Sequence, residues 1–249
     1  MSVVSLGGAT FAASSSELSF PILTSLVVVP LIGAVCVLSI GRMRAEWNRL
    51  VALVSTIATG ALSVWLLQAF DSTDAGFQFV SRHEWIPAWG ISWHLGIDGI
   101  SLFLVVLTGV LFPLVVAGVT PHHEERQYLA WLLMLEAGVM GSFVSLDLFL
   151  FFVFFEIVLV PMYFLIGGWG YDQRVYAATK FFLFTMAGSA FLLVGIVATA
   201  MLSRDSVGEI TFDVVRLAEQ GSLSVTAGRW LFVAFAIAFA VKVPLFPVH

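Results

Sequence analysis

Long apolar runs alternate with short polar links along the chain, and seven of these runs are long enough to cross a bilayer. A spanning helix needs about 20 mostly apolar residues, and its backbone groups must be hydrogen-bonded internally because lipid offers no partners. We place the spans at 20–40, 50–70, 99–119, 128–145, 148–167, 177–202 and 229–249. The pattern predicts an all-α, polytopic transmembrane helix bundle, with residues 1–249 forming a single membrane domain.

Two of the links between spans are long enough to form structure of their own. Segment 71–98 contains several tryptophans and a proline, which is typical of an interfacial aromatic belt or a short hairpin. Residues 209–220 favour a short amphipathic helix lying on the same surface. Asp98 and Asp147 stand at span ends, where we expect them to cap helices.

The composition supports a membrane location and excludes several classes of function. The 249-residue chain is 60% hydrophobic and 11% charged, which is outside the balance of a soluble domain. Its net charge of −5 comes from scattered acids without a basic patch, so we expect no nucleic acid partner. The single cysteine, Cys36, excludes an intrachain disulfide and a CxxC-type metal site. The sequence has no P-loop and no dinucleotide fingerprint, so no ATP or NAD site is visible, and we expect no cofactor-binding or metal-binding residues in this chain.

The arginines in the links predict the orientation of the bundle. Links on the cytoplasmic side are enriched in Lys and Arg. The short links after the first, third and fifth spans hold Arg42, Arg44, Arg49, Arg126 and Arg174. We therefore expect a multi-pass protein of the cell membrane with its N-terminus outside. The first 19 residues lack a positively charged start, so the first helix is expected to stay uncleaved.

Glu156 is the first of the charged residues that the pattern places inside a span. It is the ninth residue of an apolar run, which puts it near the bilayer midplane. An ionised side chain there costs roughly 2.5–3.5 kcal/mol on insertion scales, so such residues usually face a cavity or a partner. Pro161 cannot donate a backbone hydrogen bond to the carbonyl of Ile157, which leaves a polar group beside the acid. The other interpretation is a protonated glutamate that is hydrogen-bonded within the bundle.

Lys242 lies in the last apolar run, next to two prolines. Pro244 and Pro247 remove two helical hydrogen bonds and are expected to free the carbonyls of Ala240 and Val243. This predicts a broken helix, a recurrent device of ion pathways, because irregular backbone at membrane depth is tolerated only where it lines a protected cavity. The alternative is a lysine that reaches to the membrane surface.

Two further charged residues are candidates for the same site. Glu136 is again the ninth residue of an apolar run, and Gly138 and Gly141 beside it allow a neighbouring helix to come close. Lys180 precedes a long apolar run, so anchoring of the span at the membrane surface and a functional role are both open.

A buried glutamate and lysine are suited to moving a proton. Desolvation disfavours both charged forms and close pairing restores them, so the separation of Glu156 and Lys242 decides where the proton lies. Opening such a pair from about 4 to about 10 Å loses roughly 2.5 kcal/mol at an effective dielectric near 20. Moving one charge against about 200 mV costs about 4.6 kcal/mol, so several coupled charges are expected.

Four ordered stretches of the sequence carry a resemblance to a known family. They are GIDGISLFLVVLT at 96–108, LEAGVMGSFVSLDLFLFFVFFEIVLVPMYFLIGGWG at 135–170, KFFLFTMAGSAFLLVGI at 180–196 and FAVKVPLFPVH at 239–249. Together they resemble the antiporter-like subunits of respiratory complex I, most closely the subunit M or chain 4 type of NADH-quinone oxidoreductase.

The resemblance implies the fold and the site residues of a proton-translocating subunit. The fold would be the first inverted repeat of the antiporter-like type, with a broken seventh helix. Glu156 looks like the family's key span 5 glutamate and Lys242 like the broken-helix lysine that pairs with it. Glu136 and Lys180 fall on positions that the family's motif holds as charged. A family member has about fourteen helices in two inverted repeats, so we expect this chain to be a fragment that does not pump alone.

The same resemblance implies the surroundings of the chain. Its partners would be other membrane subunits of complex I, the lipid bilayer and protons, in a bacterial plasma membrane. NAD, FMN, iron–sulfur clusters and quinone are expected on those partner subunits, which carry the redox chemistry of the enzyme.

Three other functions compete with this one. A subunit of a multisubunit cation/proton antiporter, or of a proton-pumping membrane hydrogenase, would share the broken helix and the carboxylate. A purely structural bundle would need all the buried charges to be incidental, at roughly 3 kcal/mol each. Proton or sodium coupling, the quinone and the proton stoichiometry stay open.

Overall fold

A computed structural model describes residues 21–40, 45–121 and 123–246. Ten α-helices lie within these ranges: α1 Ile22–Ser39, α2 Ala45–Ala69, α3 Gly99–Gly118, α4 Glu125–Val144, α5 Leu148–Ile157, α6 Leu159–Trp169, α7 Arg174–Leu202, α8 Arg204–Val207, α9 Val214–Gln220 and α10 Val225–Lys242. Strands β1 Gln78–Ile86 and β2 Ile91–Ile97 complete them. In this part of the chain, seven segments are long and apolar enough to cross a membrane, with α5 and α6 sharing one. The predicted multi-pass helix bundle is confirmed.

The link between α2 and α3 forms an antiparallel hairpin, as one of the two sequence interpretations predicted. A turn at Pro87–Trp89 joins β1 to β2, and Gly90 after it takes the left-handed conformation (φ 68°) that glycine adopts without strain. Trp89 and Trp85 are exposed, as expected of side chains at a membrane surface. We call the side of the bundle that carries this hairpin the hairpin side, and the opposite side the Arg49 side.

Helices α1 to α4 form one body with two apolar clusters stacked along its length. The hairpin-side cluster contains buried residues such as Leu66, Val105 and Ala137, and the hairpin residues Leu95 and Ile97 belong to it as well. The Arg49-side cluster contains buried residues of the same helices nearer the other end: Ala34, Val37, Ala52, Phe112, Val116, Leu129, Ala130, Leu132 and Leu133. The boundary between the clusters lies near the middle of each helix.

Helices α5 and α6 are one span with a kink at Val158. Pro161 has no N–H to donate to the carbonyl of Ile157, so the regular ladder is interrupted where the sequence predicted it. This span packs closely against α4. A Cβ added at Gly138 of α4 would come within 2.9 Å of a side-chain carbon of Val158. The expected close approach beside Gly138 is confirmed.

Helix α10 packs against α7 through small residues. A Cβ at Gly188 would lie 2.7 Å from a side-chain carbon of Val241, and one at Gly195 would lie 3.1 Å from the ring of Phe235. Of the α10 residues, only Leu231 and Ala238 are buried. Large apolar side chains elsewhere on α10, such as Val225, Trp230 and Phe232, are exposed within this chain.

Several predicted boundaries are wrong by a few residues. Helix α2 begins at Ala45, where charged residues of its first turn continue the helix beyond the apolar run. The seventh helix begins at Val225, because Ser224 accepts a hydrogen bond from the backbone N–H of Ala227 and caps it. It ends at Lys242, and residues 247–249 lie outside the described part. The amphipathic helix expected over 209–220 begins only after Asp213, whose side chain caps α9.

Candidate functional site

Glu156 lies on the last turn of α5, just before the kink. Its Oε1 atom is buried and has no hydrogen-bond partner. The kink at Val158 places the interrupted backbone within one turn of this carboxyl group. A carboxyl oxygen in this position is available to a proton or to a partner that moves towards it.

Lys242 is the last residue of α10, and its ammonium group is also out of contact with solvent. The Nζ atom is buried without a hydrogen-bond partner and lies 3.9 Å from the centroid of the Phe155 ring. A cation over the face of an aromatic ring is attracted by the ring quadrupole. Phe155 directly precedes Glu156 in the chain, so its ring holds the lysine close to the glutamate.

The end of α10 differs from the sequence expectation in one hydrogen bond. Pro244 cannot donate to the carbonyl of Ala240, but that carbonyl accepts the backbone N–H of Leu245 at 2.9 Å. The expectation that the carbonyl of Ala240 is free is therefore wrong, because the chain turns by one more residue and supplies another donor. The helix ends at Lys242, beside Pro244, where the sequence predicts a broken helix.

Glu156 and Lys242 are brought together without forming an ion pair. The two groups interact electrostatically, yet no lysine nitrogen lies within 4.0 Å of a carboxyl oxygen of Glu156. Both charged atoms are thus buried, unpartnered and separated by more than a salt-bridge distance. Such a pair changes its proton affinity strongly with small changes in separation, because the interaction of two charges varies inversely with distance.

The other two predicted site residues lie elsewhere. Lys180 is exposed on α7, and its Nζ atom lies 6.0 Å from the centroid of the Tyr176 ring. Glu136 is fully buried on α4, and neither carboxyl oxygen has a hydrogen-bond partner. At 3.6 residues per turn, Glu136 points about 160° away from Gly138, whose face packs on the kinked span. In the described chain, Glu136 therefore faces the α1–α4 body and not Glu156.

A polar network on the hairpin side was missed by sequence reasoning. Asp213 accepts backbone hydrogen bonds at the start of α9 through Oδ1. Its Oδ2 lies 3.1 Å from a nitrogen of Arg82 and 3.3 Å from Nδ1 of His94. Arg82 and His94 are partners across the hairpin. The only sequence signal was an acid directly before a helical pattern, which predicts a cap but not a contact with residues more than a hundred positions earlier.

Asp147 extends this network to the start of the kinked span. It caps α5, as predicted, by accepting the backbone N–H groups of Phe149 and Leu150. Its second oxygen accepts the backbone N–H of Ser92 at 2.9 Å and the Ser92 hydroxyl at 3.1 Å. The carboxylate is fully buried. One side chain thus joins β2 of the hairpin to the helix that carries Glu156.

The described residues contain no group of three or more His, Cys, Asp and Glu side chains that could hold a metal ion. Three ionisable groups of these residues, Glu136, Glu156 and Lys242, have buried atoms without a hydrogen-bond partner, and each of the three can exchange a proton. The arrangement is therefore suited to proton transfer.

Comparison with known protein families identifies a match over the second part of the chain. Residues 145–249 match the family described as NADH:quinone oxidoreductase/Mrp antiporter, TM. This region contains both Glu156 and Lys242.

Two relatives and one solved structure extend the match. NADH-quinone oxidoreductase subunit M of Rickettsia typhi is 36% identical over 240 residues, covering 93% of this chain and 48% of the relative. The subunit M of Rhodobacter capsulatus is 44% identical over 213 residues, covering 82% of this chain and 40% of the relative. A chain of respiratory complex I from Thermus thermophilus with bound NADH superimposes with a TM-score of 0.78 at 28% identity, over 92% of this chain and 45% of that chain. The chain spans about half the length of the relatives it matches.

Proposed function

Because the chain belongs to the NADH:quinone oxidoreductase/Mrp antiporter family of transmembrane proteins, we propose that it is a proton-translocating membrane subunit of an NADH-quinone oxidoreductase. The enzyme complex would couple NADH oxidation and quinone reduction to proton movement. The chain would lie in a bacterial plasma membrane with its N-terminus outside, among other membrane subunits. NAD, FMN, iron–sulfur clusters and quinone would be held by those partners.

One observation carries this proposal: Oε1 of Glu156 and Nζ of Lys242 are buried without a hydrogen-bond partner, and the lysine nitrogen lies more than 4.0 Å from the carboxyl oxygens of Glu156. When the two side chains approach, both charged forms are favoured. When they separate, the interaction weakens and the proton of the lysine is released more easily, because an isolated charge in a low-dielectric site is costly. A movement of the end of α10 relative to the kink in α5 would therefore drive a proton step.

The kink and the helix end give this movement its two possible hinges. Next to Val158 the helical ladder lacks the bond to the carbonyl of Ile157, because Pro161 has no N–H, and after Lys242 the chain leaves the helix through a turn. Phe155 limits the position of the ammonium group between these two points. Glu136 and Lys180 would contribute as further charges coupled to the pair, since one pair supplies less energy than a proton step against the membrane potential costs.

The family also includes Mrp antiporter subunits, but the relatives at 36% and 44% identity are NADH-quinone oxidoreductase subunits. This observation favours the oxidoreductase over the cation/proton antiporter. The coupled ion is taken to be the proton, because the buried pair consists of groups that exchange protons.

The test uses the purified oxidoreductase complex containing the full-length subunit, reconstituted in liposomes. Glu156→Gln and Lys242→Met should leave assembly and uncoupled quinone reduction near the parent level and lower the number of protons moved per NADH. Glu209→Gln is the matched control, because this exposed acid pairs with Arg216 on the hairpin side. A normal pumping ratio in both pair variants would overturn the proposal.

A further inference from the structure

Helix α2 has its polar residues inside the bundle and its apolar residues outside. Large apolar side chains such as Trp47, Ile57 and Val64 are exposed to the surroundings. The buried stripe consists of Asn48, Ala52, Ser55, Thr56, Thr59, Gly60, Ser63 and Leu66. Most of these residues are polar, whereas buried positions between helices are usually occupied by apolar residues. A polar interior face in a membrane helix indicates a polar partner or pathway inside the bundle.

The hydroxyl groups of this face are satisfied as donors but keep acceptor positions. Ser55 donates to the carbonyl of Val29 on α1 at 3.2 Å. Thr59 and Ser63 donate to backbone carbonyls of α2 itself, at 3.1 and 2.8 Å. Such bonds are common in membrane helices and do not by themselves make a site. Each hydroxyl oxygen can still accept a hydrogen bond from a water or an acid.

Glu136 supplies the second observation. It has no exposed surface, and neither carboxyl oxygen has a partner. It lies about 60° around α4 from Leu133, which contacts the place where α1 and α2 meet. A Cβ at Gly33 would come within 2.7 Å of Ser55 and 3.4 Å of Leu133. The carboxyl group is therefore directed into the body that contains the polar face of α2.

Glu136 and the middle of the polar face lie at the same level of the bundle. On α4, Glu136 falls between Leu133 of the Arg49-side cluster and Ala137 of the hairpin-side cluster. On α2, Thr59 falls midway between Ala52 and Leu66, which belong to those same two clusters. The buried Thr108 of α3 falls between Val105 and Phe112 in the same way. The two apolar clusters are thus separated by a polar layer that contains an acid.

The polar face continues from this layer to the Arg49 side. Asn48 is 2% exposed, and its Oδ1 atom has no hydrogen-bond partner. The next residue, Arg49, pairs with Glu125 and donates to the carbonyls at the end of α3. Hydroxyls one helical turn apart are separated by about 6 Å, a gap that one water bridges. The interval from Asn48 to Ser55 is longer, and Ala52 is the buried residue between them on this face.

We propose that the buried face of α2 conducts protons through bridging waters between the Arg49 side of the bundle and Glu136, which stores the proton in the polar layer. In each step a water gives a proton to the hydroxyl oxygen beside it, and that hydroxyl releases its own proton to the next acceptor. At the end, the carboxylate of Glu136 forms an O–H bond, and the first water recovers a proton from the solvent. Atoms and charge balance without any other reactant. The inference rests on the proposed function in one respect: protons are what the chain moves.

The test follows the carboxyl proton of Glu136 by infrared spectroscopy on the 249-residue chain in lipid nanodiscs. The C=O stretch of the protonated acid is assigned by its loss in Glu136→Gln, and its downshift after mixing with D₂O gives the rate of proton exchange. Thr59→Val keeps the shape of the side chain and removes the hydroxyl, and should slow the exchange roughly tenfold, the effect of one lost hydrogen bond. Ser55→Ala should act in the same direction, and Thr59→Ser should restore the parent rate.

Thr199→Val is the matched control. Thr199 lies on α7 and donates to the carbonyl four residues earlier, as Thr59 does, but it lies outside the α1–α4 body. Its exchange rate should equal that of the parent. Equal rates in the parent, Thr59→Val and Ser55→Ala would overturn the inference, as would the absence of a protonated Glu136 band at any pH from mildly acidic to mildly basic. Because this readout requires no NADH, quinone or pumping, it is independent of the liposome test of Glu156.

Discussion

His94 and Arg82 hold the same carboxyl oxygen of Asp213 from two neighbouring strands. Nδ1 of His94 lies 3.3 Å from Oδ2, and a guanidinium nitrogen of Arg82 lies 3.1 Å from it. The other oxygen of Asp213 caps α9. This one side chain therefore attaches the hairpin between α2 and α3 to the segment between α7 and α10. Helix α10, which follows that segment, ends at Lys242.

The contacts of Asp213 predict a loss of stability in acid. Burial alone would raise the pKa of Asp213, but the contact with His94, the backbone bond from Arg216 and the charge of Arg82 together hold that pKa below its usual value. A carboxyl group with a lowered pKa stabilises the folded chain above its normal range, and this contribution is lost as the pH falls through the lowered pKa.

Asp213→Asn should therefore lower the thermal unfolding temperature at neutral pH, by the equivalent of about 1 to 3 kcal/mol. The difference between the parent and the variant should shrink below about pH 4, where the carboxyl group of Asp213 in the unfolded parent begins to take up its proton, and it should disappear as the pH falls through the lowered pKa of the folded chain. Unfolding in detergent or nanodiscs, followed by circular dichroism across this range, measures it. A difference that is independent of pH would contradict the electrostatic explanation.

Asp147 predicts a second effect at the hairpin. Asp147→Ala removes four hydrogen bonds at once, two to the start of α5 and two to Ser92. Leaving these buried donors unpaired should cost at least about 2 kcal/mol and should release β2 from the bundle. Limited proteolysis of the hairpin, compared in the parent and the variant, detects the release.

Asp98→Ala is the control for this change, because Asp98 caps α3 through Ser101 alone. It should lower the stability by about 1 kcal/mol without exposing the hairpin to protease. If both variants were cleaved at the same rate, Asp147 would be an ordinary cap and the attachment of the hairpin would depend on other contacts.

The sequence predicts the spans well because a membrane helix leaves a long, uniform signal. Seven apolar runs become seven spans, and the caps Asp98 and Asp147 stand where predicted. The boundaries differ where polar residues continue a helix beyond the apolar run, as at the start of α2. Hydrophobicity reports what faces lipid, whereas a helix ends where its hydrogen bonds end.

The candidate site is predictable only in part for a related reason. Depth along a span follows from counting residues, so Glu156, Lys242 and Glu136 were recognised as buried charges. Which neighbour each face of a helix packs against is not visible in the sequence, and the structure packs the Gly138 face of α4, rather than the Glu136 face, on the kinked span. The contacts of Asp213 join residues from three distant segments, and no local pattern in the sequence carries such information.

Phe155 predicts a specific effect on the Lys242 site. The ring lies 3.9 Å from the ammonium nitrogen, so Phe155→Leu keeps an apolar side chain but removes the attraction, worth about 0.5 to 2 kcal/mol. Pumping by the assembled complex should fall while uncoupled quinone reduction is retained. Phe151→Leu is the control, since its ring contacts Phe155 and not the lysine. Equal pumping in both variants would show that the ring only fills space.

Gly141 predicts the tightest constraint on the packing of α4 against the kinked span. A Cβ at this position would lie 2.4 to 2.6 Å from three ring carbons of Phe154, and that ring is only 5% exposed and has little room to move. Gly141→Ala should therefore destabilise the chain by about 1 to 3 kcal/mol through overpacking.

Gly228→Ala on α10 is the matched control, because nothing lies within 4 Å of the added carbon. It should be neutral or stabilise the helix by up to about 1 kcal/mol, since alanine restricts the unfolded chain more than glycine does. Thermal unfolding of the two variants in nanodiscs measures the contrast, and a Gly141→Ala variant as stable as Gly228→Ala would mean that α4 and α5 can separate at no cost.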